Sequence, residues 1–182
     1  MELRRRKKMR LQGYDYGRAG NYFVTICTKN REHFFGAIVG GDVPIAPHDV
    51  PIAPHDVPIA PHDVPIAPHI ELSKIGKIVD DTIAMIPTAD KYVIMPNHIH
   101  IIFRIPPPED GPMGTSAPTK SIPMMVRFLK RDVTLACGFS VWQRGYHDHI
   151  IRNDADYRRI WEYIGNNPAK WREDCYYKDG AI

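Results

Sequence analysis

One stretch leaves this chain few choices of fold: Tyr92 to Ile105, which reads YVIMPNHIHIIFRI. Two apolar runs, Tyr92–Met95 and Ile99–Ile105, flank a Pro96-Asn97 turn signal, the pattern of adjacent strands in a sheet. Side chains alternate between the two faces of a strand. In the second run His98, His100, Ile102 and Arg104 therefore share one face, and Ile99, Ile101, Phe103 and Ile105 share the other. The second set is a core face. The first sets two imidazoles side by side, with a guanidinium further along. Histidine is the commonest metal ligand, and a His-x-His strand brings two of them to one ion without ordering a loop. Such a pair can equally do no more than cap a solvated face, and the spacing alone leaves both readings open.

At 182 residues the chain can bury one full hydrophobic core but is short for two. A net charge of +3 is only mildly basic, yet Arg4, Arg5, Arg6, Lys7, Lys8 and Arg10 crowd the first ten residues. Residues 1–12 thus read as a basic N-terminal tail, attracted to a polyanion such as nucleic acid or simply solvated. The three cysteines are far apart, odd in number and form no CxxC pair, which argues against a disulfide framework or a Cys-rich zinc site. Neither a signal peptide nor a membrane-length apolar run is present, so a soluble, cytoplasmic protein is expected, with no membrane partner.

Tyr22–Thr28 (YFVTICT) has strong strand propensity, and Phe34–Val39 is expected to return beside it as a hairpin. Then the heptapeptide DVPIAPH occurs in four perfect copies over residues 42–69. Two prolines per copy exclude helix and central strand. Fully extended, the four copies span roughly 90 Å, so the segment must loop out of the domain. Identity at this level points to tandem duplication, tolerated because long surface loops cost little closure entropy. His48, His55, His62 and His69 are read as passengers of that duplication, not as a metal array.

Order resumes at Ile70. A helix with Ser73 as N-cap runs to Ile86 before Pro87, and a second spans Ser121–Cys137. Arg127, Lys130 and Arg131 lie off its apolar stripe, either as a basic ridge for a phosphate backbone or as a solvated face. Val141–Arg144 reads as a short last strand. Asn153 or Asp154 caps a third helix to about Asn166, with an apolar stripe of Tyr157, Ile160, Trp161 and Ile164. At 100° per residue Tyr163 falls at the edge of that stripe, and Asn167 follows one turn later on nearly the same side. Tyr163 is therefore the candidate reactive phenol. Without the repeat, strands and helices alternate as β-β-α-β-β-α-β-α, an α+β sandwich of a mostly antiparallel sheet with helices on one face.

Several of these residues resemble the single-tyrosine HUH transposases, and the REP-associated tyrosine transposase group above all. They are Met95-Pro96-Asn97-His98-Ile99-His100, Trp142-Gln143-Arg144 with His149-Ile150-Ile151-Arg152, Tyr163-Ile164 with Asn167-Pro168, and the opening Gly13–Glu32. Each motif is weak alone; the set in this order is specific. The resemblance covers residues 13–182 apart from the repeat. It implies a ferredoxin-like domain that cleaves and rejoins single-stranded, hairpin-forming DNA through a 5′-phosphotyrosine. It further implies Tyr163 as nucleophile, and His98, His100 and Asn167 as ligands of a divalent metal ion, Mg²⁺ or Mn²⁺. DNA contacts are expected from Arg4, Arg5, Arg6, Lys7, Lys8, Arg104, Arg127, Lys130, Arg131, Arg144 and Arg152. The general base stays open, with His147 and His149 as candidates, as does a homodimer. Two other readings remain: a domesticated DNA-binding protein that no longer transposes, and a metal-dependent phosphoesterase without a covalent step.

Overall fold

Alternating apolar residues build the sheet, and the computed structural model describes it in residues 13–40, 67–107 and 121–177. In chain order the elements are β1 (Gly20–Cys27), β2 (Gly36–Val39), β3 (His69–Leu72), α1 (Lys74–Ala84), β4 (Ala89–Met95), β5 (His98–Ile105), α2 (Ile122–Cys137), β6 (His147–Ile151) and α3 (Asp154–Asn166). Four strands form one sheet in the order β4-β5-β1-β6, every neighbouring pair antiparallel. With β2 and β3 set aside, the path β1-α1-β4-β5-α2-β6 is the ferredoxin-like arrangement.

The alternation of β5 divides the interior as expected. Ile99, Ile101, Phe103 and Ile105 join Tyr22, Val24 and Ile26 of β1 against Val79 and Ile83 of α1 and Met125, Leu129 and Val133 of α2. Burying such side chains contributes about 1.5–3 kcal/mol each. The two helices of the ferredoxin unit thus share one face. The third goes beyond that expectation and covers the other, where Ile160 and Ile164 of α3 pack on Ile102 and Ile151. Trp161 was expected in the same buried stripe but is 39% exposed; its ring stacks beside Tyr157 and under the Lys91 ammonium instead.

Two strand expectations need correction. The Phe34–Val39 segment does not return along β1, because both edges of β1 are taken by β5 and β6. It pairs as β2 with β3, Gly36 opposite Leu72 and Val39 opposite His69, in a separate ribbon. Gly36 sits where a Cβ would meet the Glu71 carbonyl oxygen at 2.1 Å. The repeat therefore connects the two strands of a hairpin; residues 42–66 of it lie outside the described residues. Nor do Val141–Arg144 form the last strand. Trp142 makes a single bridge to Thr28, Gly145 turns the chain at φ 84°, and continuous pairing begins only at His147.

Helix starts follow their capping chemistry. Ser73 accepts from the Gly76 N–H at 3.0 Å, and Asn153 accepts from the Asp156 N–H at 2.8 Å, which settles the choice between Asn153 and Asp154. Gly138 ends α2 in the left-handed conformation at φ 75°. Among the described residues, no helix is long and apolar enough to cross a membrane.

Candidate active site

The tight turn from β4 into β5 delivers His98 and His100 to the α3 face of the sheet. Their Nε2 atoms stand 3.0 Å apart. Each ring is oriented by a partner on its far nitrogen. Asn97 Nδ2 donates to the Arg31 and Tyr176 carbonyls, so its Oδ1, 2.9 Å from His98 Nδ1, must accept there. His98 therefore carries its proton on Nδ1 and turns the Nε2 lone pair toward His100. Thr25, directly across from His100 in the register of β1, places its hydroxyl 2.8 Å from His100 Nδ1. A hydroxyl can donate or accept, so it serves either tautomer: Nε2–H of His100 donating to His98, or both Nε2 lone pairs facing one cation.

Both imidazoles are essentially fully buried. Phe23 stacks on His100, while Trp171 and Tyr176 cover His98 at centroid separations of 5.9 and 4.7 Å. Burial pushes His98 down to about 4, and burial followed by the charge of His98 pushes His100 well below the ordinary histidine range. Both are neutral at neutral pH, the state that ligates a metal.

Tyr163, on α3, reaches the same point. Its Oη lies 3.2 Å from His100 Nε2 and donates to Asp174 Oδ2 at 3.1 Å. Asn167, one turn on, is buried; its Nδ2 donates to the same Asp174 oxygen at 3.1 Å, and its Oδ1 has no hydrogen-bond partner among the described residues. Burial first, then the Asp174 carboxylate, pushes the Tyr163 phenol above its ordinary value, so the hydroxyl is protonated at neutral pH. The donor atoms of His98, His100 and Asp174 all lie within 4.8 Å of one another. Two neutral imidazoles and a carboxylate form a group that could hold a divalent cation, with an orphaned carboxamide oxygen beside it. The set is assembled within one chain.

Asp174 was not foreseen. It lies in the irregular segment after α3, beyond the short helical turn Trp171–Glu173, where no periodicity marks a residue. Locally, Asn97 reads as a turn residue and Thr25 as a strand residue, with no spacing that ties either to the histidines; the local signals are the spacing of His98 with His100 and of Tyr163 with Asn167.

The expected DNA contacts scatter. Arg4, Arg5, Arg6, Lys7 and Lys8 lie outside the described residues. Arg127 and Arg131 are exposed on α2, which packs on the opposite face of the sheet, and Arg131 is paired with Asp132. Lys130 is not offered to a ligand: its ammonium donates to the Gln143 and Gly145 carbonyls, and burial lowers it to about 8. Arg104 approaches Asp90 at 4.0 Å. Arg144 and Arg152 are exposed. Of the two candidate bases, His149 is bound to Asp156 at 2.7 Å and neither reaches the phenol; Asp174 and His100 do.

Tyr163 also lines an open groove of about 440 Å³ with Arg159, Asn166, Asn167, Lys170 and Asp174. No protein-family model matches the chain. An uncharacterized Haemophilus influenzae protein is 32% identical across 97% of this chain and 96% of its own length. A REP-associated tyrosine transposase of Escherichia coli is 34% identical over 80 residues, 43% of this chain and 42% of that protein. A second Haemophilus influenzae protein, described as a putative REP-associated tyrosine transposase, is 29% identical over 42% of this chain and 47% of its own length. The matched parts thus span less than half of both named relatives. Among solved structures, a REP-associated tyrosine transposase bound to a REP hairpin shares the fold, with a TM-score of 0.55 and 20% identity over 89% of this chain and 73% of that one.

Proposed function

This chain belongs to the REP-associated tyrosine transposase group, and from that premise we propose that it is a metal-dependent enzyme that cleaves and rejoins single-stranded DNA through a 5′-phosphotyrosine. The observation that carries the reading is the Tyr163 hydroxyl standing 3.2 Å from His100 Nε2, inside the cluster of His98, His100 and Asp174.

His98, His100, Asp174 and the unpartnered Oδ1 of Asn167 are the groups that would hold a divalent ion. When bound, the ion supplies positive charge that polarises a phosphate oxygen and lowers the barrier to ionising a nearby phenol. The chain's own residues do the rest. Asn97 and Thr25 hold the two rings in register. Trp171, Tyr176 and Phe23 exclude water from around them, which strengthens electrostatic interactions at the site. Helix α3 fixes the phenol at the groove.

Tyr163 Oη attacks phosphorus in line. A bond from Oη to phosphorus forms, the bond from phosphorus to the 3′ oxygen breaks, and that oxygen leaves as a 3′-hydroxyl after gaining a proton. The proton of the phenol departs along its hydrogen bond to Asp174, whose carboxylate keeps lone pairs free for it. One phosphodiester bond replaces another, so rejoining by an incoming 3′-hydroxyl needs no nucleotide cofactor.

The test is incubation of the protein with a labelled single-stranded oligonucleotide carrying a hairpin and Mn²⁺ or Mg²⁺. A denaturation-resistant protein–DNA adduct is expected in the wild type and absent in Tyr163→Phe and in His100→Ala. Cleavage without any adduct would establish the phosphoesterase reading, and an adduct persisting in Tyr163→Phe would remove this nucleophile.

A further inference from the structure

The stripe of α3 that carries the nucleophile carries a cation as well. Arg159 precedes Tyr163 by four residues, about 6 Å along the axis and on the same face of the helix. Lys170 follows the helix, and both line the groove beside Tyr163. Arg159 is not a loose surface charge, although its side chain is 68% exposed. One terminal nitrogen donates to Asp156 Oδ1 at 2.7 Å. The other oxygen of Asp156 lies 2.7 Å from His149 Nε2, and the backbone N–H of Asp156 is tied to Asn153. Strand β6 thus anchors the carboxylate, and the carboxylate anchors the guanidinium.

A guanidinium has five N–H donors, and this pair occupies one terminal nitrogen, leaving another edge of the fork for a second anion. Holding one edge in place also removes rotamer freedom that a phosphate contact would otherwise have to remove itself. Glu162 and Glu173 line the same groove, so it is not a uniformly basic surface. Such a lining would accept phosphates beside Arg159 and Lys170 and repel them at the carboxylates, an arrangement that fixes register more than it adds affinity.

We propose that Arg159 and Lys170 each hold a phosphate of the single strand, one on either side of the linkage presented to Tyr163. They are positioning residues, and the assignment rests on the reading of Tyr163 as a DNA nucleophile. One turn of helix is comparable with the step between successive phosphates of an extended strand, which places Arg159 at an adjacent linkage.

The probe is a fluorescent oligonucleotide with a stable hairpin and a single-stranded tail, with binding followed by anisotropy across a salt series and adduct formation followed on denaturing gels. Arg159→Gln and Lys170→Gln should each weaken binding roughly tenfold. Each should also reduce the slope of log affinity against log salt by roughly 0.7, the value for one phosphate contact on a single strand. Lys77→Gln, an exposed charge on α1 across the sheet, should leave the slope unchanged. Once product length locates the cleaved linkage, a neutral methylphosphonate at an adjacent linkage should slow adduct formation in the wild type but add nothing to the matching variant. An adduct in the wild type with unchanged affinity and slope in both variants would overturn the clamp and leave the function standing. A lowered slope with no adduct in any protein would do the reverse. Equal losses in Lys77→Gln would reduce the effect to overall charge and overturn the assignment.

Discussion

Strand β5 is buried on both faces, and the two faces are buried by different chemistry. On one, Ile99, Ile101 and Phe103 meet α1 and α2 with nothing but apolar contact. On the other, His98 and His100 are covered as completely, yet every ring nitrogen has a hydrogen-bonding neighbour, from Asn97, Thr25, Tyr163 or the other imidazole. The apolar face tolerates any set of side chains of the right volume. The polar face does not, because a buried donor or acceptor left without a partner costs about 1–3 kcal/mol. The first face sets stability, and the second spends some of it on chemistry.

The largest expected effect falls on the apolar face. Phe103→Ala empties the centre of the contact with α1 and α2 and should destabilise the protein by about 3–5 kcal/mol. The check is the midpoint of urea unfolding. A loss under about 1 kcal/mol would mean that this face is not where stability resides.

The polar face should answer to pH instead. Burial holds His98 down to about 4, below the ordinary histidine value near 6.5. Between those values the unfolded chain binds the proton and the folded one does not, so stability rises with pH across that window and is lost as pH falls through it. In chelator-treated protein this ring therefore contributes a loss of stability as pH falls from 6.5 toward 4. His98→Gln should flatten that part of the curve; a curve of the same steepness would assign the loss to other groups.

A smaller effect sharpens the contrast within the polar face. Asn97→Ala removes the acceptor that fixes the His98 tautomer, and loss of such an orienting partner typically lowers metal affinity 10–100-fold. Calorimetric titration with Mn²⁺ checks this. Wild-type affinity in the variant would show that the ring needs no help from its neighbour.

What could be read in advance follows from how local each signal is. The division of β5 into two faces depends on period-two alternation in eight residues, and it held. The placement of Tyr163 and Asn167 on one side of α3 depends on helical spacing, and that also held. The pairing of β2 escapes such a reading because its partner begins only at the last residue of the fourth heptapeptide, and proximity along the chain favours β1. Asp174 carried no signal at all: it joins the histidines only because the chain turns back after α3, and an isolated aspartate in irregular chain looks like any surface residue.

Trp161 offers the finest test of the comparison, because spacing alone ranks it with Ile164 on the face of α3 that seals the histidine side. The structure separates them. Ile164 is fully buried against Ile102, Ile151 and Ile160, whereas Trp161 is 39% exposed and meets Lys91 Nζ at 4.6 Å from its ring. An exposed cation–π contact contributes about 0.5–1 kcal/mol, and truncating a buried isoleucine costs about 2–5 kcal/mol. Trp161→Ala should therefore shift stability by roughly 1 kcal/mol, and Ile164→Ala by several times as much. Ile164→Ala should also loosen the helix that positions Tyr163, lowering the rate of adduct formation at temperatures well below unfolding, which Trp161→Ala should leave unchanged. Equal losses in the two variants would mean that the large ring seals the face after all, and that the histidine side is held by α3 as a whole rather than by its isoleucines.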